Sequence, residues 1–177
     1  MRVLCPDFTV LPSEVDEMLG PGPLTEAVAR LAFEKARAVA ARVGAGVVLG
    51  ADTVVTIDGD VLGKPAGPDE ARAMLRRLRG REHEVITGVA VVDAGSGRAE
   101  RTAVTSRVRM ADYGEREIEA YVASGEPLDK AGAYAIQGAG GVLVAGFEGS
   151  YSNVVGLPLS YLKHLLGLLR AAPIPGA

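Results

Sequence analysis

Val47-Val48-Leu49-Gly50-Ala51-Asp52-Thr53-Val54-Val55-Thr56-Ile57-Asp58-Gly59-Asp60-Val61-Leu62 is the stretch on which the fold turns. Val47 to Leu49 is a short apolar run of the kind found in a strand buried on both faces. Val54 to Ile57 is a second extended run. Asp58-Gly59 follows, a hairpin signal because both residues tolerate positive φ. Asp60 to Leu62 is then the return strand. Between the two apolar runs stands Asp52, at the end of the first and bracketed by small residues. A carboxylate there is costly unless it meets a cation, a metal or hydrogen-bond donors. The small neighbours would let a ligand come close to the backbone. Asp52 is thus a candidate general base or metal ligand; the bland alternative is a turn aspartate bonding its own backbone. The spacing by itself favours neither.

Outward from this stretch, helices and strands interleave. Residues 24–43 carry Val28, Leu31, Ala32, Ala36 and Val39 at helical spacing, with Thr25 as the expected cap and Gly44 as the expected left-handed stop. A second helix is expected over 69–79, ended by Gly80, and a third over 114–124, ended by Gly125. Residues 83–93 and 99–110 read as two long strands joined around Gly95-Ser96-Gly97. In the second, Val104, Ser106, Val108 and Met110 alternate with Arg107 and Arg109. Two β-like pieces are expected at Tyr134 to Gln137 and Val142 to Phe147, and a last amphipathic helix at 159–170. Interleaved helices together with hairpin signals predict an α/β fold with a mixed, parallel and antiparallel, sheet and packed helices.

Composition narrows the function. The chain has 177 residues, 48% of them apolar and 23% charged. That is the balance of one globular domain, and such a length buries roughly 70% of its unfolded surface. A net charge of −3 argues against a duplex nucleic-acid binder. The single cysteine, Cys5, forbids an intramolecular disulfide and any multi-cysteine metal site, which points to a reducing compartment, the cytoplasm. No apolar run approaches the ~18 residues of a membrane span, and the N-terminus lacks the form of a signal peptide. Neither a G-x-G-x-x-G nor a Walker loop occurs; Gly63-Lys64 runs into Pro65.

Other residues are set against plain structural readings. Lys64 leaves the hairpin that starts after Asp52 and is either a phosphate-neutralising ammonium or a solvated loop lysine. Lys35 borders the buried face of the first helix, where a snorkelling lysine is the default. Asp129 to Gly138 is a Gly/Ala-rich run that either packs its backbone around a ligand, with Gln137, whose amide both donates and accepts, reading a base edge, or is a bulged strand in a tight core. Gly149 to Pro158 is a polar loop before a helix, an anion site or simple capping. His83 is expected to satisfy a backbone group and His164 to face solvent. Glu14, Asp16 and Glu17 form a solvated acidic turn, unless one of them helps Asp52 hold a divalent cation.

Taken in order, these pieces resemble the Maf family of nucleoside triphosphate pyrophosphatases. The resemblance runs through Glu17, Leu31-Ala32-x-x-Lys35-Ala36, Gly50-Ala51-Asp52-Thr53-Val54-Val55, Gly63-Lys64-Pro65, His83 with Thr87-Gly88-Val89, Asp129 to Gly138, and Gly149-Ser150-Tyr151 to Gly156-Leu157-Pro158. It implies one Maf/ITPase-like domain over 1–177 and hydrolysis of a nucleoside triphosphate to its monophosphate and pyrophosphate. It further implies Asp52 as proton acceptor, Lys35 and Lys64 as phosphate contacts, Thr53 and Gln137 as specificity residues, and Glu17 with Asp52 toward Mg²⁺ or Mn²⁺. The Asp-Thr…Gln combination resembles the dTTP/UTP branch. A homodimer is also implied. The family's opening Ser-x-Ser-Pro-Arg-Arg does not occur in the chain. Set against that pattern, a first strand and most of a helix are missing from the chain, through a misassigned start or a true truncation, and the edge they would cover is expected to be exposed. A non-catalytic nucleotide-binding or septum-regulating module on the same scaffold is the alternative function.

Overall fold

The computed structural model describes residues 7–171, so Cys5 lies outside the described residues. Helix α1 spans Leu24–Val43, followed by β1 (Val47–Ile57), β2 (Asp60–Leu62), α2 (Pro68–Leu78), β3 (Glu82–Asp93) and β4 (Ala99–Met110). Helix α3 (Glu115–Ala123) leads into three 3₁₀ segments, Glu126–Asp129, Ala131–Ala133 and Gly138–Leu143. Strand β5 (Val144–Glu148), α4 (Tyr151–Val154) and α5 (Leu159–Ala171) complete the order. The strands form one sheet in the order β2-β1-β3-β4-β5.

The sheet is antiparallel, which corrects the expectation of a mixed one. β1 pairs with β2 from Val55↔Leu62 to Ile57↔Asp60, and β4 pairs with β5 from Arg107↔Glu148 to Met110↔Val144. β3 and β4 form a tight hairpin in which the Asp93 N–H donates to the Arg98 carbonyl at 2.8 Å. The Ala94 N–H donates to the Gly46 carbonyl at 2.9 Å, so the end of β3 meets the start of β1. A parallel neighbour needs a crossover from one end of the sheet to the other. Here the β1–β2 hairpin and α2 return the chain at the end where β1 left it.

The residues divide into two compact units. The first comprises Met1–Asp52, Thr87–Val104 and Gly156–Ala177. Within it, Ala32, Ala36 and Ala40 of α1 pack on Ala90 and Val92, while Leu162, Leu165 and Leu169 of α5 pack on Val89 and Val91. Alternate residues of β3 thus face opposite helices, which is why its sequence is a continuous apolar run and not an alternation. The second unit comprises Thr53–Ile86 and Thr105–Val155. Its core joins Val55, Ile57, Val85, Val108 and Met110 to Leu75 and Leu78 of α2 and Ile118, Tyr121 and Val122 of α3.

Asp58 and Gly59 adopt φ of 55° and 83°, as a two-residue hairpin requires, and Gly44 takes the left-handed stop at φ 70°. Thr25 does not cap α1: Pro23 holds that position with no side-chain bond. Tyr134 to Gln137 forms no strand, because Gly132 and Ala133 take left-handed φ of 69° and 58° and curl the chain into 3₁₀ turns.

Candidate functional site

Asp52 lies in the middle of β1, not at the end of a strand. The two apolar runs flanking it are one 11-residue strand. Gly50 explains the continuity. A Cβ there would stand 2.2 Å from the Ala32 carbonyl oxygen and 2.9 Å from the Ala36 Cβ. The close approach that the small residues allow is therefore that of α1, where a ligand had been expected. Gly88 does the same on β3, with a Cβ that would fall 2.3 Å from the Val28 carbonyl oxygen. Two glycines let an alanine-lined helix settle against the strands, and the helix brings Lys35 down onto Asp52.

Lys35 is not a snorkelling residue. Its Nζ donates to Asp52 Oδ1 at 2.7 Å and to Glu17 Oε1 at 2.7 Å. The Lys35 and Asp52 side chains keep only 14% and 13% of their surface, whereas Glu17 keeps 58%. Burial works to lower the Lys35 pKa, but the bonds and charges of Asp52 and Glu17 outweigh it and the ammonium ends above its ordinary value. Lys35 therefore remains a cation and a donor, never a base, near neutral pH.

Glu17 sits in a stretch without regular structure, yet α1 fixes that stretch on both sides of it. Arg42 donates to the Pro12 carbonyl at 2.9 Å and Arg30 to the Pro21 carbonyl at 3.3 Å. Arg30 and Arg42 were not foreseen as site-supporting residues. On a helix they read as ordinary surface cations, and only the folded path of 7–23 gives them partners. Among the described residues no group of three or more His, Cys, Asp or Glu is placed to hold a metal by itself. Glu17 and Asp52 converge on the Lys35 ammonium.

The remaining expected residues belong to the second unit. Thr53 follows Asp52 in β1 and is half-buried, whereas Lys64 is exposed in the loop after β2. That loop is tied to the Gly/Ala-rich segment, because the Gly132 N–H donates to the Gly63 carbonyl at 3.0 Å. Lys64 also helps hold the Asp129 carboxyl below its ordinary value, after the larger effect of Lys130. Gln137 is exposed at the head of the 3₁₀ segment Gly138–Leu143, and its side chain makes no capping bond there.

His83 does not satisfy a backbone group. Its Nε2 shares a 2.7 Å hydrogen bond with the Tyr134 hydroxyl, and the rings meet edge to face. It is 3% exposed, and burial pushes its pKa down to about 4. The polar loop before the last helix sends one buried side chain under the sheet strands as a support. Ser150 caps α4, and fully buried Asn153 donates through Nδ2 to the Val85 carbonyl at 3.1 Å and to Ser106 Oγ at 2.9 Å. That favours the capping reading of this loop over an anion site.

Known proteins match the chain over most of its length. Residues 1–169 fit the family described as Maf-like protein. A dTTP/UTP pyrophosphatase of Moorella thermoacetica is 54% identical over 169 residues, covering 91% of this chain and 84% of the relative. Proteins of the same name from Dictyoglomus thermophilum and Myxococcus xanthus are 48% and 52% identical, over 92% and 95% of this chain and 86% and 83% of their own lengths. A family model that fits residues 1–169 and identities of 54%, 48% and 52% over 91%, 92% and 95% of the chain leave one conclusion: the chain belongs to the Maf family.

Proposed function

We propose that the protein is a nucleoside triphosphate pyrophosphatase that hydrolyses dTTP and UTP to the monophosphate and pyrophosphate. The observation that carries the chemistry is the bridge of Lys35 between Asp52 and Glu17, a carboxylate and an ammonium held together with little exposure to water. The substrate assignment rests on the names of relatives at about half identity over most of the chain.

In this reading Asp52 takes a proton from water as the water oxygen attacks the α-phosphorus. The bond from that phosphorus to the α–β bridging oxygen breaks, and pyrophosphate leaves with the electron pair. General-base help of this kind supplies ~10²–10⁴-fold. Lys35, a cation at working pH, orients Asp52 and offsets the negative charge of the triphosphate. Lys64 contributes a second ammonium to the phosphates, and Thr53 and Gln137 select the base. Glu17 and Asp52 are hard oxygen donors. Two carboxylates plus substrate phosphates are the set that Mg²⁺ or Mn²⁺ accepts, so the residues present fit such an ion. When bound, it would neutralise phosphate charge in the transition state. A single-domain homodimer acting in the cytoplasm completes the proposal; among the described residues no helix is long and apolar enough to cross a membrane.

The test is pyrophosphate release from dTTP, UTP, CTP, GTP and 7-methyl-GTP with Mg²⁺ or Mn²⁺. Turnover confined to dTTP and UTP, and abolished by a chelator, is the expected result. Nucleotide binding without turnover of any of the five would favour the non-catalytic module.

A further inference from the structure

The segment that carries Gln137 is wrapped around one carboxylate. Glu126 Oε2 accepts the Ala139 N–H at 3.2 Å, and Glu126 Oε1 accepts the Gly140 N–H at 3.3 Å. The Tyr121 hydroxyl donates to Glu126 Oε1 at 3.2 Å and accepts the Ala135 N–H at 3.1 Å. Residues 135, 139 and 140 are thus anchored on both sides of Gln137, while the Gln137 side chain itself is left out of the anchoring and exposed. The glycines fit the same arrangement. A Cβ on Gly138, whose φ is +68°, would stand 3.0 Å from both Glu126 oxygens. One on Gly140 would stand 2.5 Å from the Tyr121 hydroxyl and from the Ala135 carbonyl oxygen. Tyr121 stays a donor, because burial and then the Glu126 charge push its pKa up.

We propose that Glu126 is a positioning residue for base selection: its carboxylate, clamped to Ala139, Gly140 and Tyr121, fixes where Gln137 presents its amide to the nucleobase. This rests on the reading of Gln137 as a base contact. Bonds from N–H or O–H groups to a charged acceptor are stronger than neutral ones. Losing the clamp lets the segment sample positions in which Gln137 is misplaced, and apparent affinity falls with the fraction correctly placed.

The experiment compares Gln137→Ala, Glu126→Ala, Glu126→Gln, Tyr121→Phe and the double variant Glu126→Ala/Gln137→Ala, using steady-state pyrophosphate release from dTTP, UTP and CTP. Gln137→Ala is expected to raise KM for dTTP and narrow the preference over CTP. Glu126→Ala is expected to do the same, with KM up about tenfold and kcat within about twofold. Glu126→Gln, which keeps one accepting oxygen, recovers part of the loss, and the double variant matches Gln137→Ala alone. If Gln137→Ala leaves selectivity unchanged, the base-contact reading fails and this inference with it. If Gln137→Ala shifts selectivity but Glu126→Ala does not, or if the two effects add in full, the inference alone is overturned. Should Glu126→Ala fail to fold by circular dichroism, Glu126→Gln and Tyr121→Phe carry the comparison, and wild-type KM and preference in both overturns it.

Discussion

Lys35 Nζ and Asp52 Oδ1 stand 2.7 Å apart although 17 residues separate them in the chain. The contact exists because α1 can lie against β1 at Gly50, where only a hydrogen fits beneath the Ala32 carbonyl. A helix lysine and a mid-strand aspartate become one ion pair, and Glu17 accepts from the same ammonium.

Replacing Asp52 by Asn keeps the shape and one accepting oxygen but removes the base. Turnover of dTTP should fall by ~10²–10⁴-fold with the fold retained. Pyrophosphate release and a thermal melt on the same preparation check this, and wild-type turnover would remove Asp52 from its proposed role.

Gly50→Ala should be costly, because backbone and not a flexible side chain stands in the way of its Cβ. A loss of about 3 kcal/mol by urea denaturation is expected, with turnover falling as α1 withdraws Lys35 from Asp52. Gly167→Ala in α5 is the contrasting case. Nothing lies within 4 Å of a Cβ there, so the variant should gain ~0.5–1 kcal/mol from helix propensity.

Lys35 should leave a signature at alkaline pH. Its folded pKa lies above the ordinary 10.5, so its contribution to stability is complete below that value and disappears as pH rises through the folded one. Denaturation midpoints between pH 9 and 11.5 should show this limb in the native protein and lose it in Lys35→Met. An unchanged limb in the variant would place its origin elsewhere.

His83 should leave one at acid pH. Folding pushes it down to about 4 from its ordinary 6.5, so the unfolded chain binds the extra proton between these values and stability falls as pH drops through the window. The loss attributable to His83 reaches about 2 kcal/mol at pH 5. His83→Gln should be less stable at pH 8, because Tyr134 loses its ring partner, yet fall less steeply from pH 6.5 to 4. Parallel curves for the two proteins would refute the assignment.

Local features were legible in the sequence because their causes are local. Apolar spacing over 24–43 marked α1 to the residue, Asp58-Gly59 marked the hairpin, and alternation from Val104 to Met110 marked the buried face of β4. The ordered motifs through Asp52, Lys64 and Gln137 pointed to the family as well. Strand direction was not legible, since interleaved helices suit parallel and antiparallel sheets alike. Nor was the course of β1 through Asp52, because a Gly-Ala-Asp-Thr step resembles a break unless one knows that a helix lies over it.

From the amino acids alone came the extent of α1, the Asp58-Gly59 hairpin and the aliphatic core, all set by propensity and pattern within a few residues, while the ordered motifs gave the family resemblance and, through it, the chemistry to expect. Tertiary packing decided the antiparallel sheet, the meeting of Lys35 with Asp52 and Glu17, the burial of His83 against Tyr134, and the closing of 135–140 about Glu126. Each of these depends on atoms brought together from distant parts of the chain. Short-range preference carries no information about such distances, whereas exclusion of water and close packing of backbone against glycine set them.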